Sequence, residues 1–522
     1  MIFKKINQFQ VSYDGNNYSE KILRDCLTFD FPNAEFTSAF QGGYWDGKIR
    51  FYDKKTKLIK IGLVSFVIDA LEEQDVKYKK IDFDKQFHKI NTSNLTESLY
   101  QHQVEGVVQF FKDESGIVKF PTRTGKTYFA SECLRLVNQQ YKDSITLFIV
   151  DGEDLFHQAI KDISDFLKIP KAEIGQIKGE KVIFKQNTVA TIQTLQSIFS
   201  KRTSKTKLSR KKEIQKHLSR INFVVIDEIH DSLNSEERYN LFKHFRNIYW
   251  LLGLSATPYS KDEDESGGLD LINNIKRKAF FGGISFEVDS DLMKERGILA
   301  KEKTLLLIYE HKVNQRKKAE LESEVKLSKN KYFFYSDKLM FSNNKRDQVV
   351  LITLALLRNL KFKTLGLFSS KKHGYKIATL SGDKFISGDS HSTERLEAKK
   401  KFLNGVGKIL LASDIYKKGV TLPEVEVVFN IDGGYEDNLI IQRKGRVLGV
   451  TNDKKNALII DLIDISENYL SEHGLNRIKV YEKFSGMENI DVIYLNIDEN
   501  GDVDLGQYFD DLRQYLEDYD RG

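Results

Sequence analysis

The feature that most restricts this chain is a rhythm of short apolar, β-rich runs separated by amphipathic helical stretches, and the rhythm occurs twice. The first pass offers strands at Gly116–Phe120, Ile145–Val150, Thr188–Ile192, Phe223–Ile226 and Tyr249–Leu254. The second offers runs near Thr304–Ile308, Thr364–Phe368, Lys408–Ala412, Val425–Ile431 and Ala457–Leu462. Strands that are apolar throughout are those buried on both faces, and helices between them make the crossovers of a parallel sheet. The predicted fold class is α/β, with two tandem domains meeting near Ile284–Ala300. A small α+β unit over residues 1–90 precedes them. There Lys48–Tyr52 and Leu58–Ile61 alternate around a polar turn as a hairpin would, and Val64–Leu71 reads as a helix. Lys89–Ser98 reads as a linker.

Composition supports this and excludes other classes. At about 150 residues per domain, 522 residues give about three domains. With 40% apolar and 30% charged residues the chain can bury a core, so neither global disorder nor a collagen-like fibre fits. Lys and Arg number 81 against 75 Asp and Glu, a net charge of +6 that permits a nucleic-acid partner without requiring one. Cys26 and Cys133 are the only cysteines, and no C-x-x-C occurs. This argues against a disulfide framework or a zinc site and fits a reducing cytoplasm. No apolar leader segment and no run of 18 apolar residues is present, so secretion and membrane insertion are not expected.

Two segments are biased in charge. Residues 201–220 hold nine Lys/Arg and one acid, and residues 476–522 hold twelve Asp/Glu and five Lys/Arg. The basic segment reads either as an extra nucleic-acid arm or as a solvated surface helix. The acidic one, over 481–522, reads as a mobile or solubilising tail.

The chemistry concentrates in loops after the predicted strands. Phe120-Pro121-Thr122-Arg123-Thr124-Gly125-Lys126-Thr127 follows one strand and opens a helix. In that setting backbone N–H groups and the helix N-terminus can cradle phosphate, Lys126 can reach the β- and γ-phosphates, and the Thr127 hydroxyl can bind Mg²⁺. Taken alone, the segment is equally compatible with an ordinary strand–turn–helix. Its partner is Phe223-Val224-Val225-Ile226-Asp227-Glu228-Ile229-His230, an apolar strand ending in adjacent acids. Asp227 suits a Mg²⁺ site and Glu228 suits polarising an attacking water. Gly253-Leu254-Ser255-Ala256-Thr257-Pro258 ends the next strand with hydroxyl residues suited to sensing a γ-phosphate. The chain has only five prolines, and Pro121, Pro258 and Pro423 all stand where a strand or helix gives way to such a loop.

In this order the motifs resemble those of the superfamily 2 helicases, with the three loops above standing as motifs I, II and III. Leu410 to Pro423, including Ser413, Gly419 and Thr421, resembles motif V, and Gln442-Arg443-Lys444-Gly445-Arg446 resembles motif VI. A narrower resemblance, to the UvsW-type recombination helicases of T-even phages, rests on Phe40 to Arg50, Leu292 to Gly297 and His473 to Ile478. It spans about residues 10–485 and leaves out the basic insert and the acidic segment.

The resemblance implies a RecA-like ATP-binding domain over 91–285 and a RecA-like helicase C-terminal domain over 286–480. It implies ATP and Mg²⁺ as cofactors and Gln103 as an adenine-reading residue. Arg446, with Arg443 as a second candidate, becomes an arginine finger, and Gln442 positions nucleotide or water. His230, Ser255 and Thr257 couple the phosphate site to nucleic acid. Strand contacts fall to Asp151–Gly152, Gln193, Thr194, Ser369, Ser370, Gly388 and Ser413. Lys48 and Arg50, beside Tyr44 and Trp45, would touch duplex or branched DNA, although Trp45 equally reads as core. The implied partners are single-stranded and branched DNA and an RNA–DNA hybrid. No membrane is involved, the protein acts as a monomer, and a phage origin places it in the host cytoplasm.

Several positions depart from the family pattern. Arg123 replaces a small residue, Asp151 follows the strand where Pro-Thr is usual, Thr421 replaces an acid, and Gly449 stands where a second finger would be. The span from Ser369 to Ser387 looks short for a helix plus connector. The expected activity is ATP-dependent remodelling of branched DNA in recombination and replication. Its rivals are an RNA helicase, the motor of a nuclease or restriction system, and a nucleic-acid-binding scaffold with weak ATPase.

Overall fold

The structure, a computed structural model, describes residues 1–84, 88–199, 205–232, 238, 241–245, 247–259, 268–310, 315–327, 331–413, 422, 424–433, 440, 443–445, 447–451, 454–466, 468–495 and 503–519. The chain divides into two compact units. One is Met1–Pro121 with Gly125–Asp289, and the other is Ser290–Gly522 with Thr122–Thr124.

The first unit is built on an eight-stranded sheet. Its strands lie in the order Lys181–Ile183, Gly175–Lys178, Asn187–Thr191, Thr146–Val150, Phe223–Asp227, Trp250–Ser255, Ser115–Lys119 and Ile284–Glu287. All pairings are parallel except that of the Lys181–Ile183 edge strand. The strands Thr146–Val150, Asn187–Thr191, Phe223–Asp227 and Trp250–Ser255 are buried along their whole length, as their apolar runs require. Parallel register brings their C-terminal ends to one edge, with Asp227 opposite Leu254 and Ser255 opposite Lys119.

The N-terminal residues form a five-stranded sheet in the order Tyr52–Asp53, Leu58–Lys60, Gln10–Asp14, Ile2–Asn7, Lys79–Ile81. The expected hairpin is split. Tyr52–Asp53 does pair with Leu58–Lys60, but Lys48–Arg50 pairs with Thr28–Asp30 in a separate ribbon. Phe51, turned into the core between them, marks the break. This sheet shares its core with Ile272, Ile275 and Ala279 of the helix Gly268–Phe281. The backbones approach closely at Gly62, where a Cβ would fall 1.7 Å from the Lys278 carbonyl oxygen.

The expected linker Lys89–Ser98 is pinned. The Asn91 and Thr96 amides donate to Gln140 and Glu132 of the helix Lys126–Gln140, at 2.7 and 3.0 Å.

The second unit carries an all-parallel seven-stranded sheet. Its order is Lys384–Ile386, Ile409–Ser413, Thr364–Phe368, Val427–Asn430, Asn456–Asp464, Lys301–Tyr309, Ile490–Tyr494. Two expectations need correction. The span after Ser369 is long enough, because the helix Lys371–Ser381 closes on Gly382 in a left-handed cap and enters the strand Lys384–Ile386 at once. The acidic C-terminal segment is not a free tail. Ile490–Tyr494 extends the sheet beside Lys301–Tyr309, and Leu505–Asp518 is an amphipathic helix that buries Tyr508, Leu512 and Leu516 in the main core. Each such side chain contributes about 1.5–3 kcal/mol of burial. The acids occupy the solvent face, and that hid the apolar stripe in a charge count. Among the described residues no helix is long and apolar enough to cross a membrane.

Candidate functional site

The phosphate loop leaves the strand Ser115–Lys119 through Phe120, whose ring is buried and whose N–H donates to the Ser255 carbonyl at 3.2 Å. Gly125 caps the helix Lys126–Gln140 with φ 83°, a left-handed conformation that glycine adopts at least cost. Arg123 is left-handed too, at φ 77°, so the side chain that departs from the family pattern occupies backbone best suited to glycine. Gln103 braces this turn. Its amide donates to the Gly125 carbonyl at 3.1 Å, and its oxygen accepts from the Tyr100 N–H at 2.9 Å. Both ends of the side chain expected to read adenine are thus engaged by the protein. Pro121, Thr122 and Thr124 complete the loop, with Thr124 buried, and Thr127 lies in the first helical turn.

Asp227 and Glu228 stand at the tip of the neighbouring acidic strand. Lys126 Nζ lies 3.2 Å from Glu228 Oε1, so the helix N-terminus and the strand tip meet through one ion pair. Glu228 takes φ 47°, an uncommon conformation for a non-glycine residue and one found at functional turns. Its N–H donates to Asp227 Oδ1 at 3.0 Å. Burial and then the Glu228 charge raise the Asp227 pKa above the ordinary carboxylate range, and Lys126 opposes them.

A relay runs on from these acids. His230 Nδ1 lies 2.9 Å from Ser255 Oγ and 3.4 Å from Glu228 Oε2, and Ser255 Oγ accepts from the Thr257 N–H at 3.0 Å. Arg277 fixes the base of the relay. Its guanidinium is buried and donates to the His230 carbonyl at 2.7 Å and to Asn274 at 2.8 Å. No sequence pattern marks Arg277, which is one cation in an amphipathic helix, 47 residues along the chain from His230.

The other expected contacts lie at strand ends. Gln193 donates to Asp151, whose other oxygen lies 4.0 Å from Arg238. Asp151 therefore has partners of its own and ties two strand ends together. Thr194 Oγ1 shares a hydrogen bond with Thr191 at 2.7 Å and accepts from the Gly179 N–H. Gly152 opens the next helix with φ 110°. Lys48 pairs with Asp30 at 3.5 Å and Arg50 with Asp46, on an exposed ribbon beside Tyr44. Trp45 is half-buried, edge-on to Phe31, and donates to the Lys48 carbonyl at 2.9 Å.

In the second unit Ser369 and Ser370 follow the strand Thr364–Phe368. The Ser370 N–H donates to Asp432 at 3.0 Å, and its hydroxyl caps the helix Lys371–Ser381. Gly388 lies in a turn where the Asp389 N–H donates to Ser387 Oγ and the Asp389 carboxylate pairs with Lys371 at 2.8 Å. Ser413 ends its strand and is buried. Arg443, the second finger candidate, is 2% exposed, and its guanidinium donates to Asn430, to the Gly433 carbonyl and to Ser369 Oγ. So engaged, the side chain is a strut under the Ser369 loop. Gly419, Thr421, Gln442 and Arg446 lie outside the described residues. Gly449 pairs in a bridge with Leu299, and its carbonyl accepts from the buried Lys454 Nζ at 2.8 Å.

Comparison with known proteins agrees with this layout. Residues 88–260 match the family model "Type III restriction enzyme, res subunit", and residues 330–449 match "Helicase conserved C-terminal domain". The chain is 22% identical to the ATP-dependent DNA helicase uvsW of Enterobacteria phage T4, covering 92% of this chain and 97% of that one. It is 22% identical to the DNA 3'-5' translocase XPB2 of Sulfurisphaera tokodaii, covering 70% of this chain and 81% of the relative. Among solved structures, an HsdR-subunit fragment of a type I restriction enzyme from Vibrio vulnificus aligns with TM-score 0.53 at 16% identity, over 84% of this chain and 75% of that one. That last likeness concerns the fold.

Proposed function

The chain belongs to the superfamily 2 helicases, and from that premise we propose that it is an ATP-hydrolysing phage motor that remodels branched DNA. The family membership accounts for ATP use. The choice of DNA is supported by the 22% identity to the phage T4 DNA helicase along nearly the whole of both chains.

The observation that carries the mechanism is the Lys126–Glu228 contact at the joined tips of helix and strand. Lys126, at a helix N-terminus, offers positive charge and backbone N–H groups to a polyphosphate. A γ-phosphate drawing Lys126 away leaves Glu228 free to orient the attacking water. Thr127 and Asp227 are hard oxygen donors of the kind Mg²⁺ takes, and a divalent cation beside the buried Asp227 would favour its charged form, which burial and the Glu228 charge disfavour. When bound, Mg²⁺ would supply charge neutralisation of the phosphates. His230, held by Ser255 and Arg277, transmits displacement at Glu228 into the Ser255–Thr257 loop. Arg446 is the candidate finger. Gln193, Thr194, Ser369, Ser370, Gly388 and Ser413 would grip strand phosphates, and such contacts hold register without reading sequence. Lys48 and Arg50 would meet the duplex arm. An RNA–DNA hybrid is a further substrate of this reading, and the motor acts as a monomer in the host cytoplasm.

The test is ATP hydrolysis by wild type and K126A, with and without forked DNA. Wild type should hydrolyse ATP with stimulation by DNA, and K126A should lose about 10²–10³-fold in kcat. Turnover in K126A equal to wild type, or stimulation by RNA alone, would sink the reading.

A further inference from the structure

We infer that the basic helix Lys205–Leu218 of the first unit carries a second nucleic-acid contact, a phosphate-binding face for duplex DNA separate from the strand-end loops. The inference rests on the DNA reading above for the identity of its partner.

The helix is two-faced. Ile214 and Leu218 are buried in the core of the first unit, while Lys212, Gln215, Lys216 and Arg220 are exposed. Lys212, Lys216 and Arg220 follow one another at four-residue spacing, and the helical turn continues through Ser219 and Arg220 by N–H bonds to Gln215 and His217 at 3.0 and 2.9 Å. Like charges four apart repel one another on a helix. A face whose only task is to be solvated ordinarily alternates sign along such a row. Here one acid accompanies nine cations over residues 201–220, and Lys212, Lys216 and Arg220 make no ion pair among the described residues.

The neighbouring cations are already committed. Arg210 donates to the Glu180 carbonyl, and Lys211 sits 5.7 Å from the Phe199 ring centroid. Lys212 and Lys216 line a surface concavity of about 260 Å³ together with Gln215, Ser219 and His244, and Arg220 follows one turn further along the same face. Cations with neutral hydrogen-bond donors between them suit a run of phosphates.

Its place in the fold makes it a separate site. The helix leads through Asn222 into the start of the strand Phe223–Asp227, and the Asn247 side chain donates to the Ser219 carbonyl at 2.8 Å just before the strand Trp250–Ser255 begins. The concavity therefore lies at the edge where these strands start, whereas Asp227, Glu228 and Ser255 lie where they end. Strands of five and six residues separate the two edges by about 17–20 Å. A duplex arm held there adds salt-dependent affinity without touching the ATP site.

The experiment measures affinity of the full chain for a short blunt DNA duplex across a salt series, for wild type, K212Q/K216Q/R220Q and K212R/K216R. Each phosphate that a variant no longer neutralises lowers the slope of log affinity against log salt by about 0.9, so the slope of the triple Gln variant should be shallower by about 2–3. The Arg variant, with its charge kept, should retain the wild-type slope. The inference falls if the triple variant keeps that slope, or if the Arg variant loses as much as the Gln variant. It also falls if the triple variant loses binding to polyglutamate but not to duplex DNA, which would mark an acidic protein as the partner. K126A reads the ATP chemistry and leaves this slope unchanged, so failure of the motor reading and failure of this inference are distinguishable.

Discussion

In the first unit the charged groups of the site stand at strand tips with a side open to ligand: Lys126 and Glu228 keep 12% and 16% of their side-chain surface exposed and hold one another at 3.2 Å. In the second unit the corresponding strand ends enclose their charges. His373 lies between Asp432, 2.5 Å from Nδ1, and Asp347, 2.9 Å from Nε2, with all three side chains buried. Asp461 accepts from Asn430, Arg477 and Tyr481 in the same interior. The difference separates two uses of an ion pair. A pair at an open edge can be exchanged for a ligand phosphate. A buried pair fixes the backbone above it, because breaking it leaves an uncompensated buried charge. The second unit uses its pairs to hold the Ser369–Ser370 loop, through the Ser370 N–H on Asp432 and Arg443 on Ser369.

The largest expected effect tests that enclosure. His373→Ala leaves the buried Asp432 without its imidazole, while Asp347 keeps only Lys376, and should cost about 3–5 kcal/mol of stability, read by denaturant unfolding. The pH dependence has a fixed sign. Burial alone would lower the His373 pKa, but Asp432 and Asp347 outweigh it and raise it above the ordinary value. A raised pKa stabilises fully below the unfolded value of about 6.5, and that stability is lost as pH rises through the folded value. Burial would likewise raise Asp347, but His373 and Lys376 outweigh it and lower it. Its contribution is present above the ordinary Asp value and is lost as pH falls through the folded one. Wild type should therefore lose stability on the alkaline side of about pH 6.5 and at strongly acid pH, and His373→Ala should abolish the alkaline loss. A variant with wild-type stability would show that the enclosure is not what holds this unit.

Arg443→Lys asks whether the strut depends on fork geometry. Lysine keeps the charge but cannot reach Asn430, Gly433 and Ser369 together. The expected cost is about 1.5–3 kcal/mol, the scale of a charge-assisted hydrogen bond, with weaker single-strand binding and unchanged ATP hydrolysis in the absence of nucleic acid. Loss of that basal hydrolysis instead would return Arg443 to the role of a finger and erase the contrast between the units.

The same contrast explains what could be read from the chain. All ten strands expected in the two sheets are present, nine within a residue or two and the tenth, Lys301–Tyr309, starting three residues early, because fully buried parallel strands are written as continuous apolar runs. The phosphate loop and acid pair were legible because their residues are contiguous. Long-range supports were not. Arg277 reaches His230 across 47 residues, and His373 reaches Asp432 across 59. No local spacing encodes such meetings. The acidic segment misled for a different reason: total charge concealed the stripe of Tyr508, Leu512 and Leu516, which a helical period would have exposed.

The smallest expected effect falls where the open site joins its relay. Ser255 is fully buried, and its hydroxyl is the shared partner of His230 Nδ1 and the Thr257 N–H. Ser255→Ala removes both bonds with little change of volume, so the cost in stability should be about 1 kcal/mol. The chemistry at Lys126, Asp227 and Glu228 keeps every direct contact, so ATP hydrolysis without nucleic acid should stay at the wild-type rate. What should fall is its stimulation by DNA, because the path from His230 to Thr257 is cut. Comparing basal and stimulated rates in one preparation separates these outcomes. Equal loss in both would place Ser255 within the hydrolytic machinery, and the open edge would then extend one strand further than Glu228.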